Sequence, residues 1–308
     1  MFSFYKHRHK FMAGSLALIL VGFIALFVFG LNLDIQFKGG SILTYTYEGE
    51  IDLNEIEPII EDTLEQSVSL QLTENLGTKT RSLVVNVAGD DALSTEKQTS
   101  LRSALTENFP DAQFKVSETN VVDPFIGRET LIKGLLAILV ASALIVIYVW
   151  IRFRTISGPS AGVFSLLALF HDVLIAFFVF IFMRAALNET VIAVVLSILG
   201  WSVNDTIVIF DRIRENKGNR ANREETLPQL VDRSINEVLS RSITTSVCAF
   251  LAVSVAYVFS LIYNIESIRE FALPMMVGMV VGSYSSIFLA TPFWAQWMTR
   301  NGRSGFES

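Results

Sequence analysis

The chain has 308 residues, of which 51% are apolar and 18% are charged, and its mean hydropathy is +0.48. A soluble globular chain carries about 25% charged residues, so this composition excludes an ordinary soluble protein and is typical of a membrane protein. The net charge of −6 also makes nucleic acid an unexpected partner, because phosphate binding requires a dense basic surface.

Six stretches are apolar over the roughly 20 residues that a helix needs to cross a bilayer core. The basic segment from Lys6 to Lys10 before the first stretch is similar to the start of a signal peptide, but the apolar run is too long and lacks a small-residue cleavage site. We therefore expect a retained anchor and a polytopic α-helical membrane protein. The predicted transmembrane helices cover residues 11–30, 131–151, 160–183, 190–210, 243–263 and 271–298.

Basic residues in the short loops predict the orientation, because such loops stay in the cytoplasm. Most of them lie in residues 1–10, at Arg152 and Arg154, in the connector 211–242 and in the tail 299–308. The short loops of the other side offer Arg184 and Arg269. We expect both termini to be cytoplasmic and residues 31–130 to lie outside the cytoplasm.

Residues 31–130 form a separate acidic region between the first two spans, with 7 Lys and Arg against 18 Asp and Glu. Short alternating patterns replace the long apolar runs here, and they predict the order strand, helix, strand, strand, helix, strand. This order is the split βαβ arrangement of a ferredoxin-like α+β domain. The predicted elements cover residues 41–47, 52–66, 68–72, 82–87, 95–109 and 113–122.

This domain contains no His/Cys cluster, no Ser/His/Asp set and no phosphate-binding loop, so we expect no metal, no cofactor and no enzymatic activity. Gly39 and Gly40, just after the first span, have two interpretations. Paired glycines can form an anion-binding nest, but a hinge where the chain leaves the membrane is the favoured one.

Two aspartates lie inside predicted spans. Asp172 is near the middle of the third span, and Asp205 lies six residues before Asp211, which marks the inner border of the fourth. An aspartate at the centre of a membrane helix costs roughly 2.5 to 3.5 kcal/mol, so such a residue usually marks an ion pathway or a buried partner.

Helical spacing predicts that these charges face a helix bundle, because small residues that allow close packing share their faces. Arg241 heads such a face at the start of the fifth span, and Gly278 and Gly282 head another in the sixth, where we expect a packing face. The face of Asp172 carries Ala161, Ser165, Ala168 and Ala176. On the fourth span, Ser197, Gly200 and Asn204 share the face of Asp211, and Asp205 lies at its edge beside Trp201. The face of Arg241 carries Thr245, Cys248, Ala252 and Ala256, and the face of the two glycines carries Ser286 and Ala290.

A carboxylate inside a bundle can gain and lose a proton as a guanidinium approaches or withdraws. We therefore predict an ion-translocation site of Asp205, Arg241 and Asp172, with Asn204 and Thr206 among the polar neighbours that hold water. Other interpretations of these residues are open. Asp205 can serve only as an interhelical hydrogen-bond residue, Arg241 can extend to the interface or pair with Asp211, and His171 is interpreted as a polar packing residue.

The sequence resembles the SecF family of bacterial protein-export membrane subunits, which is similar to one half of a resistance-nodulation-division transporter. The matching segments cover nearly the whole chain, and the fourth-span block is the most specific. One departure is Gln36, where the family commonly has Asp before Phe37. The segments are GLNLDIQFKGG at residues 30–40, WIRFR at 150–154, HDV at 171–173, NDTIVIFDRIREN at 204–216 and LSRSITTS at 239–246.

The resemblance implies a subunit of the bacterial inner membrane that pairs with SecD, with its inserted domain in the periplasm. The complex would associate with the SecYEG channel and with YajC, and would use proton or sodium entry to assist late, ATP-independent export of unfolded precursor polypeptides. The resemblance also implies that Asp205 and Arg241 take part in ion conduction. Two rival functions are a half-transporter that exports a lipid or small molecule, and a non-conducting scaffold.

Overall fold

A computed structural model describes residues 2–34, 37, 40–66, 68–75, 80–88, 93–122, 124–156, 158–218, 225–263 and 265–302. Within these residues, six helical segments are long and apolar enough to cross a membrane, and a small antiparallel α+β domain is inserted after the first. The predicted fold class is therefore confirmed.

The six membrane segments are longer than the predicted spans. They are α1 (Phe4–Phe29), α4 (Pro124–Arg152), α5 (Gly158–Met183), α6 (Glu189–Gly218), α7 (Leu227–Ile262), and a last segment made of α8 (Glu266–Ser285), a π-helical turn (Ser286–Ala290) and α9 (Thr291–Arg300). Each extends past the apolar run because a helix does not end where the hydrocarbon does. Most of the connector 211–242 is accordingly helical.

The inserted domain consists of β1 (Gly40–Tyr47), α2 (Leu53–Leu64), β2 (Val68–Asn75), β3 (Thr80–Ala88), α3 (Thr95–Asn108) and β4 (Lys115–Val122). The sheet order is β2-β3-β1-β4, and all neighbouring strands are antiparallel. β1 is central: Leu43 lies opposite Val85 on β3 and Thr119 on β4. Gly40 begins this strand with a φ of +147°, a backbone conformation that residues with a Cβ rarely adopt.

One face of this sheet carries both helices. Ile56 and Ile60 on α2 and Leu101 and Leu105 on α3 are buried at helical spacing, so each helix turns one apolar face toward the strands. Tyr45 of β1 is buried in the same core. Burial raises the pKa of its hydroxyl to about 12, although the positive charge of Arg102 opposes the shift.

Two backbone hydrogen bonds tie the chain leaving α1 to the loop between α5 and α6. Asp34 N–H donates to the Leu187 carbonyl at 3.0 Å, and Leu187 N–H donates to the Asn32 carbonyl at 2.8 Å. This short parallel bridge anchors the segment that leads from α1 into the inserted domain.

The opposite end of the bundle carries Phe2 and Gly302, the first and last described residues, and is called the terminal side. A core of large side chains closes it, with Phe153, Phe210 and Trp294 almost completely buried. Asp232 on α7 caps the start of α1, because its carboxylate accepts from Ser3 Oγ at 2.6 Å and from Tyr5 N–H at 2.8 Å. The non-apolar beginning of α7 is thereby held against α1.

Candidate functional site

Asp172 on α5 is fully buried inside the membrane bundle and is held by groups from three helices. Its carboxylate accepts from Ser202 Oγ on α6 at 2.6 Å and from Ser285 Oγ on α8 at 2.8 Å. His171 Nδ1 lies 2.9 Å from the other carboxylate oxygen. A buried carboxylate is tolerated only when its oxygens are hydrogen-bonded, and here both are.

His171 extends this network to a fourth helix. Its Nε2 is hydrogen-bonded to Ser15 Oγ on α1, and both side chains are buried. The imidazole therefore connects the carboxylate of Asp172 to the helix that leads into the inserted domain. The sequence interpretation of His171 as a packing residue did not include this link.

Asp205 on α6 is the second buried carboxylate, with 2% of its surface exposed. Ser283 Oγ on α8 donates to Oδ2 at 2.7 Å, and Ser246 Oγ on α7 lies 3.4 Å from the same oxygen. Among the described residues, these hydroxyls are its hydrogen-bond partners, and no basic side chain forms an ion pair with it.

The two carboxylates are joined through one stretch of α8. Ser283 donates to Asp205, and Ser285, two residues later on the same helix, donates to Asp172. Thr206 Oγ1 and Ser286 Oγ are hydrogen-bonded at 2.7 Å beside them, where the π-helical turn begins. A π-helical turn inside an α-helix is frequent at functional sites.

Two glycines let α8 approach α6 closely. A Cβ on Gly282 would lie 3.0 Å from the Cβ of Ser202, and one on Gly278 would overlap the Ile198 side chain. The predicted packing face of Gly278 and Gly282 thus lies against α6. Gly39 lies outside the described residues, whereas Gly40 opens β1.

Two buried donors near Asp205 have no hydrogen-bond partner among the described residues. They are the indole N–H of Trp201, one helical turn from Asp205 on α6, and the hydroxyl of Ser242, one turn from Ser246 on α7. Buried polar groups without a protein partner usually bind water. The column from Trp201 through Asp205 and Ser246 to Ser242 is therefore suited to hold water inside the bundle.

The structure corrects the expected position of Arg241. Its side chain is exposed, and Thr245, Cys248, Ala252 and Ala256 on the same row of α7 are exposed as well. The reason is helix geometry: Ser242 is buried and Ser246 contacts Asp205 on α6, and a residue one position away from either points about 100° to the side. Asn204 is likewise exposed on α6, while Thr206 is buried.

Asp211, the alternative partner of Arg241, is bound elsewhere. Its carboxylate lies 2.8 Å from Arg152 and 2.6 Å from Arg214. Within the described chain, Arg241 forms no ion pair with either aspartate.

Comparison with known proteins identifies the family. The model of the family described as "Protein export membrane protein SecD/SecF, C-terminal" matches residues 101–300. The protein translocase subunit SecF of Alicyclobacillus acidocaldarius is 35% identical over 97% of this chain and 94% of the relative. This chain belongs to the SecF family.

Other SecF proteins support the assignment. The SecF subunit of Calditerrivibrio nitroreducens is 36% identical over 89% of this chain and 86% of the relative. The crystal structure of SecDF from Thermus thermophilus, described as a translocon-associated membrane protein, matches with a TM-score of 0.77 and 30% identity. That match covers 97% of this SecF chain but 39% of the SecDF chain.

A second SecDF crystal structure, in a super-membrane-facing form, gives a TM-score of 0.70 at 29% identity and covers 99% of this chain and 40% of that one. The present chain thus spans about two-fifths of the SecDF chains that it matches. It is a multi-pass membrane protein and a SecF-type transport subunit.

Proposed function

We propose that this chain is the SecF half of a SecD/SecF complex that uses the proton or sodium motive force to assist late-stage export of precursor proteins. It would work beside the SecYEG channel and YajC in the bacterial inner membrane. Both termini would be cytoplasmic and the inserted domain periplasmic, as the basic residues at the terminal side favour.

The observation that carries this proposal is the environment of Asp205: a buried carboxylate held by hydroxyls, between two unpartnered buried donors. An ionised carboxylate in this position is costly unless a cation or proton neutralises it. Asp205 is therefore the proposed ion carrier. A unit charge that crosses the membrane gains about 2.3 kcal/mol for each 100 mV of potential, which is the available driving force.

Hydroxyl groups suit a carboxylate that alternates between two charge states. Serine can donate to an ionised carboxylate and can accept from a protonated one, so Ser246 and Ser283 can satisfy Asp205 in both. We assign Asp172 to the same pathway as a second ion-binding residue, because Ser285 on α8 binds Asp172 and Ser283, two residues before it, binds Asp205.

The exposed Arg241 and Asn204 are assigned to the face that meets SecD. A charged side chain that faces lipid at the start of a membrane helix is costly, and a partner subunit removes that cost. In this assignment Arg241 acts at the interface between the two subunits.

The cleft at the base of the inserted domain favours a polypeptide over a lipid as the transported species. It has a volume of about 450 Å³ and is lined mainly by polar residues, including Asn32, Glu57, Ser69, Gln71 and Asn188. A lipid exporter is expected to have an apolar cleft there.

Asp205→Asn tests the ion-carrier role, because the amide has nearly the same shape but cannot bind or release a proton. The matched control is Asp211→Asn, the same change on the same helix at a residue outside the proposed pathway. We expect Asp205→Asn to assemble with SecD normally and to abolish the stimulation of export by the ion gradient in vesicles that contain SecYEG and SecD. The control should retain most of that stimulation.

Normal stimulation by Asp205→Asn would refute the ion-carrier role, and loss of assembly would indicate a scaffold. Replacing the proton gradient by a sodium gradient in the same vesicles identifies the coupling ion.

A further inference from the structure

A groove opens on the lipid-facing surface of the bundle near the terminal side. It lies between α1, α5 and α9 and has a volume of about 230 Å³. Its walls are apolar, with Met12, Leu16 and Ile19 from α1, Leu167 from α5 and Phe293 from α9. Such a lining favours an apolar occupant.

The floor of the groove contains Ser15 and His171, which are buried and hydrogen-bonded to each other. The second imidazole nitrogen is bonded to Asp172. Since the floor's polar atoms already have partners, an apolar occupant leaves none of them unsatisfied.

The terminal end of the groove is basic. Arg8 and His9 come four and three residues before Met12, about 6 Å and about 4.5 Å along the axis of α1. The His9 ring lies 5.8 Å from the ring of Phe293, a wall residue, and Arg8 Nε donates to Gln296 at 2.7 Å. His9 is thus placed at the mouth of the groove. Arg8 lies beside it, with its guanidinium 4.0 Å from the centre of the Tyr5 ring and hydrogen-bonded to the Tyr5 carbonyl.

Other features of this end fit the headgroup level of a bilayer. Lys6 and Lys10 are exposed on either side, and α1 contains no acidic residue. Trp297, 37% exposed, lies 6.3 Å from Phe164 on the groove wall, and tryptophan is enriched at membrane interfaces. Asp232 on α7 lies beside the start of α1, but it bonds to Ser3 and Tyr5 and forms no ion pair with Arg8 among the described residues. The mouth therefore carries net positive charge, from Lys6, Arg8 and Lys10, where phosphate groups lie.

The occupant is narrow. One turn of helix, about 10 Å across and 5.4 Å long, occupies roughly 400 Å³. The groove holds little more than half of that volume, so a turn of helix does not fit inside it, whereas part of a narrow acyl chain does.

We propose that this groove binds an anionic phospholipid, with one acyl chain between α1 and α5 and the phosphate beside Arg8 and His9. Each basic residue near the surface favours an anionic headgroup about fivefold, which corresponds to about 1 kcal/mol. The preference over a zwitterionic lipid is therefore expected to be about fivefold or more.

The test uses the full-length protein in phosphatidylcholine vesicles that contain a small amount of a photoactivatable lipid. The photoactivatable acyl chain is carried by phosphatidylglycerol in one sample and by phosphatidylcholine in the other. Cross-linked peptides are then quantified by mass spectrometry. We expect phosphatidylglycerol to label the segments 12–19 and 164–168 about fivefold more than phosphatidylcholine does. Arg8→Gln should lower that preference about fivefold, whereas Arg184→Gln, just past the opposite end of α5, should not.

A matched pair of variants separates the groove from the general lipid surface. Leu16 lines the groove, so Leu16→Trp fills it. Leu18 lies on the same helix outside the lining, and both leucines are 57% exposed, so Leu18→Trp is the control. We expect Leu16→Trp to remove most of the labelling by phosphatidylglycerol and Leu18→Trp to leave it unchanged, with equal thermal unfolding temperatures. Equal labelling by the two lipids, or equal loss in the two tryptophan variants, would overturn the proposal.

Discussion

At the scale of single residues, the buried carboxylates differ from ordinary surface acids in what surrounds them. Asp172 is bound by two serine hydroxyls and an imidazole, and Asp205 by hydroxyls alone. Water solvates the charge of a surface aspartate, and a typical buried aspartate is paired with an arginine or lysine. Asp205 forms no ion pair among the described residues, and the proposed pathway assigns its neutralising charge to a mobile ion.

His171 offers a test of the network around Asp172. His171→Ala removes the partner of one carboxylate oxygen and breaks the link to Ser15 on α1. Because a hydrogen bond to a charged group contributes about 1.5 to 3 kcal/mol, we expect the free energy of unfolding to fall by about that amount. Reversible unfolding in detergent measures it.

His171→Asn is the matched control, since the asparagine amide can occupy nearly the same position as Nδ1 and donate to Asp172. We expect it to recover most of the stability that alanine loses. If alanine and asparagine destabilise equally, the bond to Asp172 is not what His171 contributes.

The sequence predicted which acids enter the membrane, and it missed several of their partners. Ser283 and Ser285 belong to a run of polar residues, Ser283 to Ser286, within the last apolar segment, and that run was the available signal. It could not be used because serine in a membrane helix commonly bonds to a carbonyl of its own helix, as Ser197 and Ser254 do here. Only the packing of α8 on α5 and α6 separates the two cases.

At the scale of elements, α1 and α5 pack in a register that can be read residue by residue. Ser15 meets His171, and Gly22 lies against the ring of Phe178, so both pairs are seven residues apart on each helix. Residues seven apart lie on the same helix face. The two helices therefore run side by side in the same direction, and α1 continues into the inserted domain.

Gly22 and Gly14 on α1 provide a matched test of this packing. A Cβ on Gly22 would overlap the Phe178 ring, whereas a Cβ on Gly14 would meet no atom within 4 Å. Gly22→Ala should destabilise the protein by about 1 to 3 kcal/mol through overpacking. Gly14→Ala should be neutral or stabilising by up to about 1 kcal/mol, because alanine favours helix.

Thermal unfolding in detergent measures both variants. Equal effects of the two substitutions would show that α1 and α5 are not in close contact at Gly22.

The element order was predictable, whereas several helix ends and one helix face were not. Hydropathy detects the part of a helix that lies in hydrocarbon, so it missed the beginning of α7, where Thr226 and Gln229 form a capping box before a polar stretch. The row of Arg241 was identified correctly as small and polar. The sequence did not show whether the row packs within this chain or against another one, because small residues line both kinds of contact.

At the scale of the whole molecule, the lipid-facing surface is uneven. Much of it carries large apolar side chains, as at Leu135, Leu139 and Leu144 on α4. The exposed row of α7 carries Arg241, Thr245 and Ala252 instead. This chain covers about two-fifths of the SecDF chains that it matches, and under the proposed function SecD would cover that row.

Ala252→Trp tests whether this row meets SecD. A tryptophan there adds a large side chain to a face that close helix packing requires to be small, so the two subunits could not approach to the same distance. The control is Leu144→Trp on α4, an exposed position on a surface of large apolar residues, where a tryptophan replaces one lipid contact by another.

Co-purification with tagged SecD after mild detergent extraction measures assembly. We expect Ala252→Trp to reduce the recovered SecD about tenfold, which a loss of about 1.4 kcal/mol at the interface produces, and Leu144→Trp to leave it unchanged. If both variants recover the same amount of SecD, the partner binds elsewhere, and Arg241 must then be neutralised by lipid headgroups rather than by the second subunit.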